Sequence, residues 1–353
     1  MLGDTLKARG EPAFRSRQVW EWAAGGAGSY GEMTNLPLGL RSALGDEVPF
    51  SALQPVEEAL ARDGTEKVLF RTKDGRPVEA VLMRYRDRRR SLCLSSQSGC
   101  PLTCTFCATG RMKFGRNLTE SEILDQALHF RRTEAVNHAV FMGMGEPLMN
   151  LDNVMAACER LPDMGIATSN TAISTVGWLP GIERLATEGP PVRLALSLHA
   201  ADEALRSELM AVNDRYPLRD VLAACVAWHE RRRRQVFIEY LMLEGINDRY
   251  EQAIALADVL EPRHAFKVNL IPFNPIGPAR ASPRPPARHP IGPARASPRP
   301  PARHPTKFGF RGSGRDAIAA FRAALEERGL RTTVRLTRGR DIDAACGQLA
   351  AGG

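Results

Sequence analysis

The stretch Cys100-Pro101-Leu102-Thr103-Cys104-Thr105-Phe106-Cys107 places three thiols in a C-x3-C-x2-C spacing. Three thiolates this close in sequence can hold one metal centre. Structural zinc takes four ligands, and no neighbouring His or Cys completes the set, because His129 falls on a predicted helix. Iron–sulfur clusters are held by cysteine thiolates, and three of them on a four-iron cube leave one iron open to chelate a substrate. Structural zinc and unrelated thiols are the competing readings. Of the other cysteines, Cys158 and Cys225 sit in helical stretches and read as packing. Cys93, between Leu92 and Leu94 on a strand, reads alone as a buried thiol. Cys346, beside two alanines and a glycine, is harder to explain as core.

Other polar groups fall at predicted strand ends. Gly143-Met144-Gly145-Glu146 combines glycines, which let backbone approach a ligand, with a carboxylate that can accept from an ammonium group. Ser174 ends one strand, Ser197-Leu198-His199 another, and Asn274 follows a third. Each alone is more often a turn or cap residue. Together they bring hydroxyl, imidazole and amide groups to one rim, as a small polar ligand requires.

With an aromatic residue, Phe106, just before its third cysteine, the triad resembles the signature of the radical S-adenosylmethionine (SAM) enzymes. The tail Thr337-Arg338-Gly339-Arg340-Asp341-Ile342-Asp343-Ala344-Ala345-Cys346-Gly347-Gln348 narrows the resemblance to radical enzymes that methylate carbon 2 of an adenine in 23S rRNA, some of which also act on tRNA. Nearly the whole chain, from Val19 through Gln348, shares it. Arg340 departs from the family, which usually carries an acid there.

The resemblance implies a [4Fe–4S] cluster on Cys100, Cys104 and Cys107, whose open iron binds the amino and carboxylate groups of SAM. It implies SAM contacts from Gly145, Glu146, Ser174, Ser197, Leu198, His199 and Asn274. Carbon 2 of adenine is an electron-poor amidine carbon and no nucleophile, so direct displacement on the sulfonium methyl fails there. In the family a cysteine matched by Cys346 is methylated first, and a deoxyadenosyl radical then takes a hydrogen from that methyl group. The resulting radical adds to the base. A thiol matched by Cys93 resolves the protein–RNA adduct as a disulfide, and a base matched by Glu79 removes the proton. The implied partners are 23S rRNA, tRNA and a flavodoxin-like electron donor, with a monomeric protein. A carbon-8 methylating sister group, and an RNA-binding protein with a structural metal, are the alternatives.

These residues need elements to position them. From residue 91 onward strand and helix alternate, with strands expected over 91–95, 139–142, 171–174, 192–198, 236–242 and 266–271. Thr119 with Glu122 forms a capping box, opening a helix whose apolar face is Ile123, Leu124, Ala127 and Leu128. Six βα units predict an α/β fold, a partial (βα)6 barrel of the radical SAM type with ligands at the strand carboxyl ends. Residues 1–90 read as a small N-terminal accessory region, helical plus small β, that binds RNA. It has helical stripes around Val19-Trp20-Glu21-Trp22 and from Leu36 to Leu44, then strands around an Asp74-Gly75 turn. Residues 91–336 form the barrel and 337–353 a mobile catalytic tail. Residues 276–305 are a perfect tandem repeat holding ten of the 25 prolines, expected to be an extended, non-functional loop.

Composition bounds the rest. A chain of 353 residues with 43% hydrophobic and 25% charged content is long enough for a substantial core, which excludes general disorder and a disulfide miniprotein. No apolar run is long enough to span a bilayer. A polar start, Met1-Leu2-Gly3-Asp4, and seven cysteines predict a reducing, cytoplasmic location without a membrane. The net charge is +8, but the repeat supplies six of those charges, so it says little about RNA. Local clusters, residues 84–90 and Arg231 to Arg234, are better candidates for phosphate contact. His138, His229 and His264 show no partner in the sequence.

Overall fold

The computed structural model describes residues 2–276 and 309–350, so the repeat lies outside the described residues apart from Ile276. Three helices come first: α1 (Leu2–Ala8), α2 (Phe14–Gly25) and α3 (Leu38–Glu47). They enclose a small core of Leu6, Val19, Tyr30, Met33, Leu40 and Leu44. Apolar spacing signals α2 and α3 but not α1, which is seven residues long and buries only Leu6.

Strands β1 (Leu53–Leu60), β2 (Glu66–Thr72), β3 (Pro77–Arg84) and β4 (Arg90–Cys93) then form an antiparallel meander. The outermost, β1, went unpredicted because Pro55 interrupts it and most of its side chains face solvent. Its register shifts between Pro55 and Glu57, as suits proline on an edge strand. The short β5 (Gln97–Ser98) and β6 (Arg116–Asn117) pair with each other.

From β4 onward the sheet is parallel. Its strands are β7 (His138–Phe141), β8 (Thr171–Thr175), β9 (Arg193–Ser197), β10 (Val236–Met242), β11 (Phe266–Pro272) and β12 (Thr332–Val334). All six expected strands are present within a residue or two. A seventh parallel strand, β12, was missed because three residues cannot show a periodicity. Between the strands lie α4 (Glu120–Arg131), α5 (Leu151–Arg160), α6 (Leu179–Thr187), α7 (Glu203–Leu209), α8 (Leu218–Arg232), α9 (Tyr250–Val259) and α10 (Arg315–Glu327). The capping box of α4 forms as expected: the Glu122 N–H donates to Thr119 Oγ1 and the Thr119 N–H to Glu122 Oε2.

Strand order is sequential across the sheet, β1-β2-β3-β4-β7-β8-β9-β10-β11-β12. Parallel neighbours joined by crossovers of one hand put their connecting helices on one face, so the sheet curls with its other face toward a cavity. The helix-facing layer is the main core: Leu92, Ala139, Phe141, Ile173, Leu194, Leu196, Ile238, Val268 and Leu270 against Leu124, Val154, Ile182, Val221 and Leu256. A second cluster, including Leu102, Phe106, Leu209, Met210, Leu241 and Phe273, packs at the carboxyl ends of the strands. The partial barrel stays open between β12 and the meander, and the chain after β12 crosses that opening. There the Gly339 N–H donates to Asp63 Oδ2, Lys67 Nζ to the Asp343 carbonyl, and the Ala350 N–H to Glu79 Oε2.

Candidate active site

The loop after β5 carries the three cysteines to the mouth of the barrel. There Cys100, Cys104 and Cys107 line one cavity with Gly145, Glu146, Ser174, Ser197 and His199. The loop is held from below: the Thr105 N–H donates to the Leu209 carbonyl, while Leu102 and Phe106 pack into the apolar cluster. Gly110 closes over it so tightly that a methyl group there would sit 2.9 Å from the Cys104 carbonyl oxygen. Burial raises all three thiols above their ordinary value, and neighbouring thiols raise Cys100 and Cys104 further. A metal centre that takes them as thiolates relieves both penalties. Among the described residues no three His, Cys, Asp or Glu side chains gather closely enough to hold a single ion. Three soft donors spread around one cavity fit a polynuclear cluster and not structural zinc.

Gly145, Glu146, Ser174, Ser197 and His199 line this cavity, whereas Leu198 is packed in the main core and neither it nor Asn274 is part of the lining. Gly145 has φ +97°, and a Cβ there would lie 2.5 Å from Gln97 Cβ, so only glycine fits. The Glu146 N–H donates to Gln97 Oε1. Both Glu146 carboxylate oxygens accept backbone donors, Oε1 from the Leu148 N–H at 3.0 Å and Oε2 from the Val176 N–H at 3.0 Å. Burial pushes this carboxyl up to about 7. Glu146 thus ties the loops after β7 and β8 together and keeps further lone pairs for a ligand. The Ser174 and Ser197 hydroxyls lie 3.4 Å apart, Leu198 is fully buried, and Asn274 Oδ1 accepts from Arg340. The family departure at Arg340 therefore lands on an expected SAM contact.

His199 has φ +60°, in the left-handed region. Its Nδ1 accepts from the Leu241 N–H, its carbonyl accepts from Asn247, and its ring meets Phe106 edge-on at 4.8 Å. Burial and the Arg206 charge hold it down at about 3, so the ring is neutral. With Nδ1 an acceptor, Nε2 carries the proton.

On the other side of the opening lie the second thiol pair and Glu79. Cys93 ends β4, buried beside Val81, Met83, Met144 and Leu349. Burial, then the nearby Cys346, push its thiol up to about 12, and Arg335 opposes that rise. Cys346 lines the triad's cavity; both thiols are free. Glu79 is buried on β3, paired with Lys67 Nζ at 3.1 Å and accepting from the tail's Ala350 N–H. The Ala108 N–H donates to the Gly347 carbonyl and Thr109 Oγ1 to the Leu349 carbonyl, so the tail is docked on the triad loop itself.

Three residues of the site gave no sequence signal. Arg206 is fully buried and donates to the carbonyls of Leu198 and Val176 and to Asn213 Oδ1, joining the loops after β8 and β9. Glu239 and Arg335, 3.8 Å apart, lie within the barrel on and after its last strands. An arginine in a short helix and a glutamate in an apolar strand look unremarkable until the chain folds.

Part of each arginine cluster is spent on the fold, while Arg86, Arg88, Arg231 and Arg233 are exposed. Arg84 and Arg90 share Glu134, and Arg89 stacks 3.8 Å over Tyr85. Arg232 donates to the carbonyls of Leu185 and Gly189. The segment from Arg231 to Arg234 also leads into the amino end of β10, away from the carboxyl-end cavity. The histidines do find partners: His138 Nδ1 meets Asn137 Oδ1, His229 Nδ1 the Arg234 carbonyl, and the His229 and His264 rings touch. Cys158 and Cys225 are buried in the core, as packing requires.

Comparison with known proteins agrees with this geometry. Residues 94–257 match the model of the radical SAM superfamily. The chain is 43% identical to a probable dual-specificity RNA methyltransferase RlmN of Heliobacterium modesticaldum, over 96% of this chain and 84% of that protein. It is 42% identical to the Chloroflexus aurantiacus protein of the same name, over 99% and 90%. A crystal structure of a radical SAM methyltransferase from Sphaerobacter thermophilus superposes with a TM-score of 0.85 at 38% identity, covering 99% and 96% of the two chains. Full-length similarity at this level, joined to a thiol set that fits a [4Fe–4S] cluster and a polar rim that fits SAM, places this chain in the RlmN family of radical SAM RNA methyltransferases.

Proposed function

We propose that this RNA methyltransferase methylates carbon 2 of an adenine in 23S rRNA, and of an adenine in tRNA, through an S-methylated Cys346 and a covalent protein–RNA adduct. The observation that carries this reading is the second thiol pair: Cys346 opens on the cavity of the triad, with Cys93 close enough to feel its charge. A structural metal in an RNA-binding module would need neither. The relatives' name, dual-specificity RNA methyltransferase, supports two classes of RNA.

Cys100, Cys104 and Cys107 would hold the cluster, and Gly145, Glu146, Ser174, Ser197, Leu198, His199 and Asn274 would surround SAM. When bound, the pair supplies a transferable methyl group and, after one-electron reduction, a hydrogen-abstracting radical. Cys346 takes the methyl group on sulfur, then yields a hydrogen atom from it, and the methylene carbon bonds to carbon 2. Glu79 accepts the proton from that carbon, and the unpaired electron left on the adduct would return to the cluster held by Cys100, Cys104 and Cys107. Cys93, as a thiolate, attacks the Cys346 sulfur; the disulfide forms as the sulfur–carbon bond breaks, and the released carbon takes up a proton to leave methylated RNA. His199, neutral and donating only through Nε2, orients a ligand without competing for that proton.

In the same reading residues 1–90 dock RNA, 91–336 house the chemistry and 337–353 form a tail that moves between the two methyl transfers. A flavodoxin-like donor, a monomeric state and a cytoplasmic location belong to it as well. The test is anaerobic reconstitution with iron and sulfide, followed by methyl-labelled SAM, a reductant, and either a 23S rRNA fragment or tRNA. Labelled 2-methyladenosine in both RNAs is the expected product. 8-Methyladenosine, or cleaved SAM with unlabelled RNA, would overturn the proposal.

A further inference from the structure

A row of polar side chains crosses the parallel sheet where a barrel interior is ordinarily filled by branched apolar residues. Ser197 on β9 is in register with Glu239 on β10, Glu239 with Asn269 on β11, and Asn269 with Thr333 on β12. Ser174 on β8 extends the row through its hydroxyl, 3.4 Å from that of Ser197. Hydrogen bonds run along it in one direction: Thr333 Oγ1 donates to Asn269 Oδ1 at 2.5 Å, and Asn269 Nδ2 donates to Glu239 Oε1 at 2.9 Å. The chain stops there. Glu239 is 3% exposed and lines the cavity, yet its Oε2 has no hydrogen-bond partner among the described residues. Arg335 comes within 3.8 Å of that oxygen, too far for a hydrogen bond, and its Nη1 is directed at Met142 Sδ at 3.0 Å. The guanidinium thus balances the carboxylate charge without satisfying the oxygen.

A buried carboxylate oxygen left without a donor is costly, and the bonded side chains of two other strands, Asn269 and Thr333, hold this carboxylate in place. A donor on the ligand resolves the cost. SAM carries its ammonium at the amino-acid end, which belongs to the cluster, and its remaining donors are two ribose hydroxyls and the adenine amine. Burial raises the Glu239 carboxyl while Arg335 and Asn269 oppose that rise; as the carboxylate its Oε2 only accepts, and the hydroxyls of Ser197 on the adjoining strand and Ser174 on the next can donate. A ribose hydroxyl uses that combination fully, donating to Oε2 while accepting from a serine; an amine can donate to Oε2 but cannot accept from the serines. Carboxylates on sheet strands take ribose hydroxyls in the same manner in dinucleotide-binding folds. We propose that Glu239 is a binding residue of this site, accepting a hydrogen bond from a ribose hydroxyl of SAM through Oε2. Held there, the ribose fixes the position of its 5′ carbon, while Asn269 and Arg335 act as positioning residues for Glu239.

Calorimetric titration of the cluster-loaded protein with S-adenosylhomocysteine and its 2′-deoxy and 3′-deoxy analogues tests this without turnover. In the wild type one deoxy analogue should bind about tenfold more weakly than the parent, the loss expected for a hydrogen bond to a charged group. Glu239→Gln should bind the parent as weakly as that analogue and the analogue no worse than the wild type does. Equal wild-type affinity for parent and both analogues would overturn the assignment, whether or not the variant folds. A variant that weakens all three ligands equally would overturn it too, leaving Glu239 a structural group. Failure of the parent to bind the wild type would remove the cofactor fit along with this inference.

Discussion

Gly145 is the position at which one methyl group does most damage. Gly145→Ala places Cβ against Gln97 on a backbone at φ +97° and displaces the segment that carries Glu146. The expected result is a loss of about 1–3 kcal/mol in stability, read by thermal unfolding, together with weaker S-adenosylhomocysteine binding. His199 gives a pH-dependent prediction. Its folded value of about 3 lies below the ordinary value of 6.5. Below pH 6.5 the unfolded chain takes up a proton that the folded site refuses, so stability falls as pH drops from 6.5 toward 3. The slope is at most about 1.4 kcal/mol per pH unit. In denaturant titrations between pH 6.5 and 5, His199→Gln should lose less stability on acidification than the wild type; parallel losses would contradict the assignment. At this scale the sequence was informative where chemistry is carried by spacing, as with Cys100, Cys104 and Cys107, or by a strand end, as with Ser174 and Ser197. It was silent on Glu239 and Arg335, because an acid in an apolar strand acquires meaning only from the strands laid beside it.

The strand-end loops are held by buried polar ties, chiefly Glu146 and Arg206. Arg206 bonds to two loop carbonyls and Asn213, and burial depresses it to about 10, so it remains charged near neutrality. Arg206→Met leaves those acceptors buried and unpaired. It should cost about 3 kcal/mol by thermal unfolding and weaken S-adenosylhomocysteine binding, since Val176 lines the cavity and Leu198 sits between its lining residues Ser197 and His199. A variant of unchanged stability would mean that the loops hold themselves. The long elements were legible because their apolar residues recur at fixed spacing: α4 with its capping box, and the six parallel strands. The short or edge-placed ones were not. β12 is three residues long, β1 is broken by Pro55 and faces solvent, and α1 buries one side chain.

Across the whole molecule, a sheet that begins as an antiparallel meander becomes an open parallel barrel, and the C-terminal segment spans the gap between its two edges. That segment touches the meander at Asp63 and Glu79, the triad loop at Ala108 and Thr109, and the barrel mouth at Pro275, where Gln348 donates to the carbonyl. It thereby holds Cys346 between the cluster thiols and Cys93. No helix of the described residues is long and apolar enough to cross a membrane. The global charge was a poor guide to RNA contact. Most of it sits in the repeat, and Arg84, Arg89, Arg90 and Arg232 of the two clusters are tied to carboxylates, carbonyls and a tyrosine ring. The central claim is that Cys346 carries the methyl carbon to RNA and Cys93 releases it. Its most direct test is to run Cys93→Ala, reconstituted with iron and sulfide, with labelled SAM, reductant and RNA, and to analyse the protein after nuclease and protease digestion. The account predicts an adenosine joined through one labelled carbon to the peptide containing Cys346, absent from the wild type and from Cys346→Ala. Free methyladenosine from Cys93→Ala at the wild-type rate, with no such adduct, would contradict it.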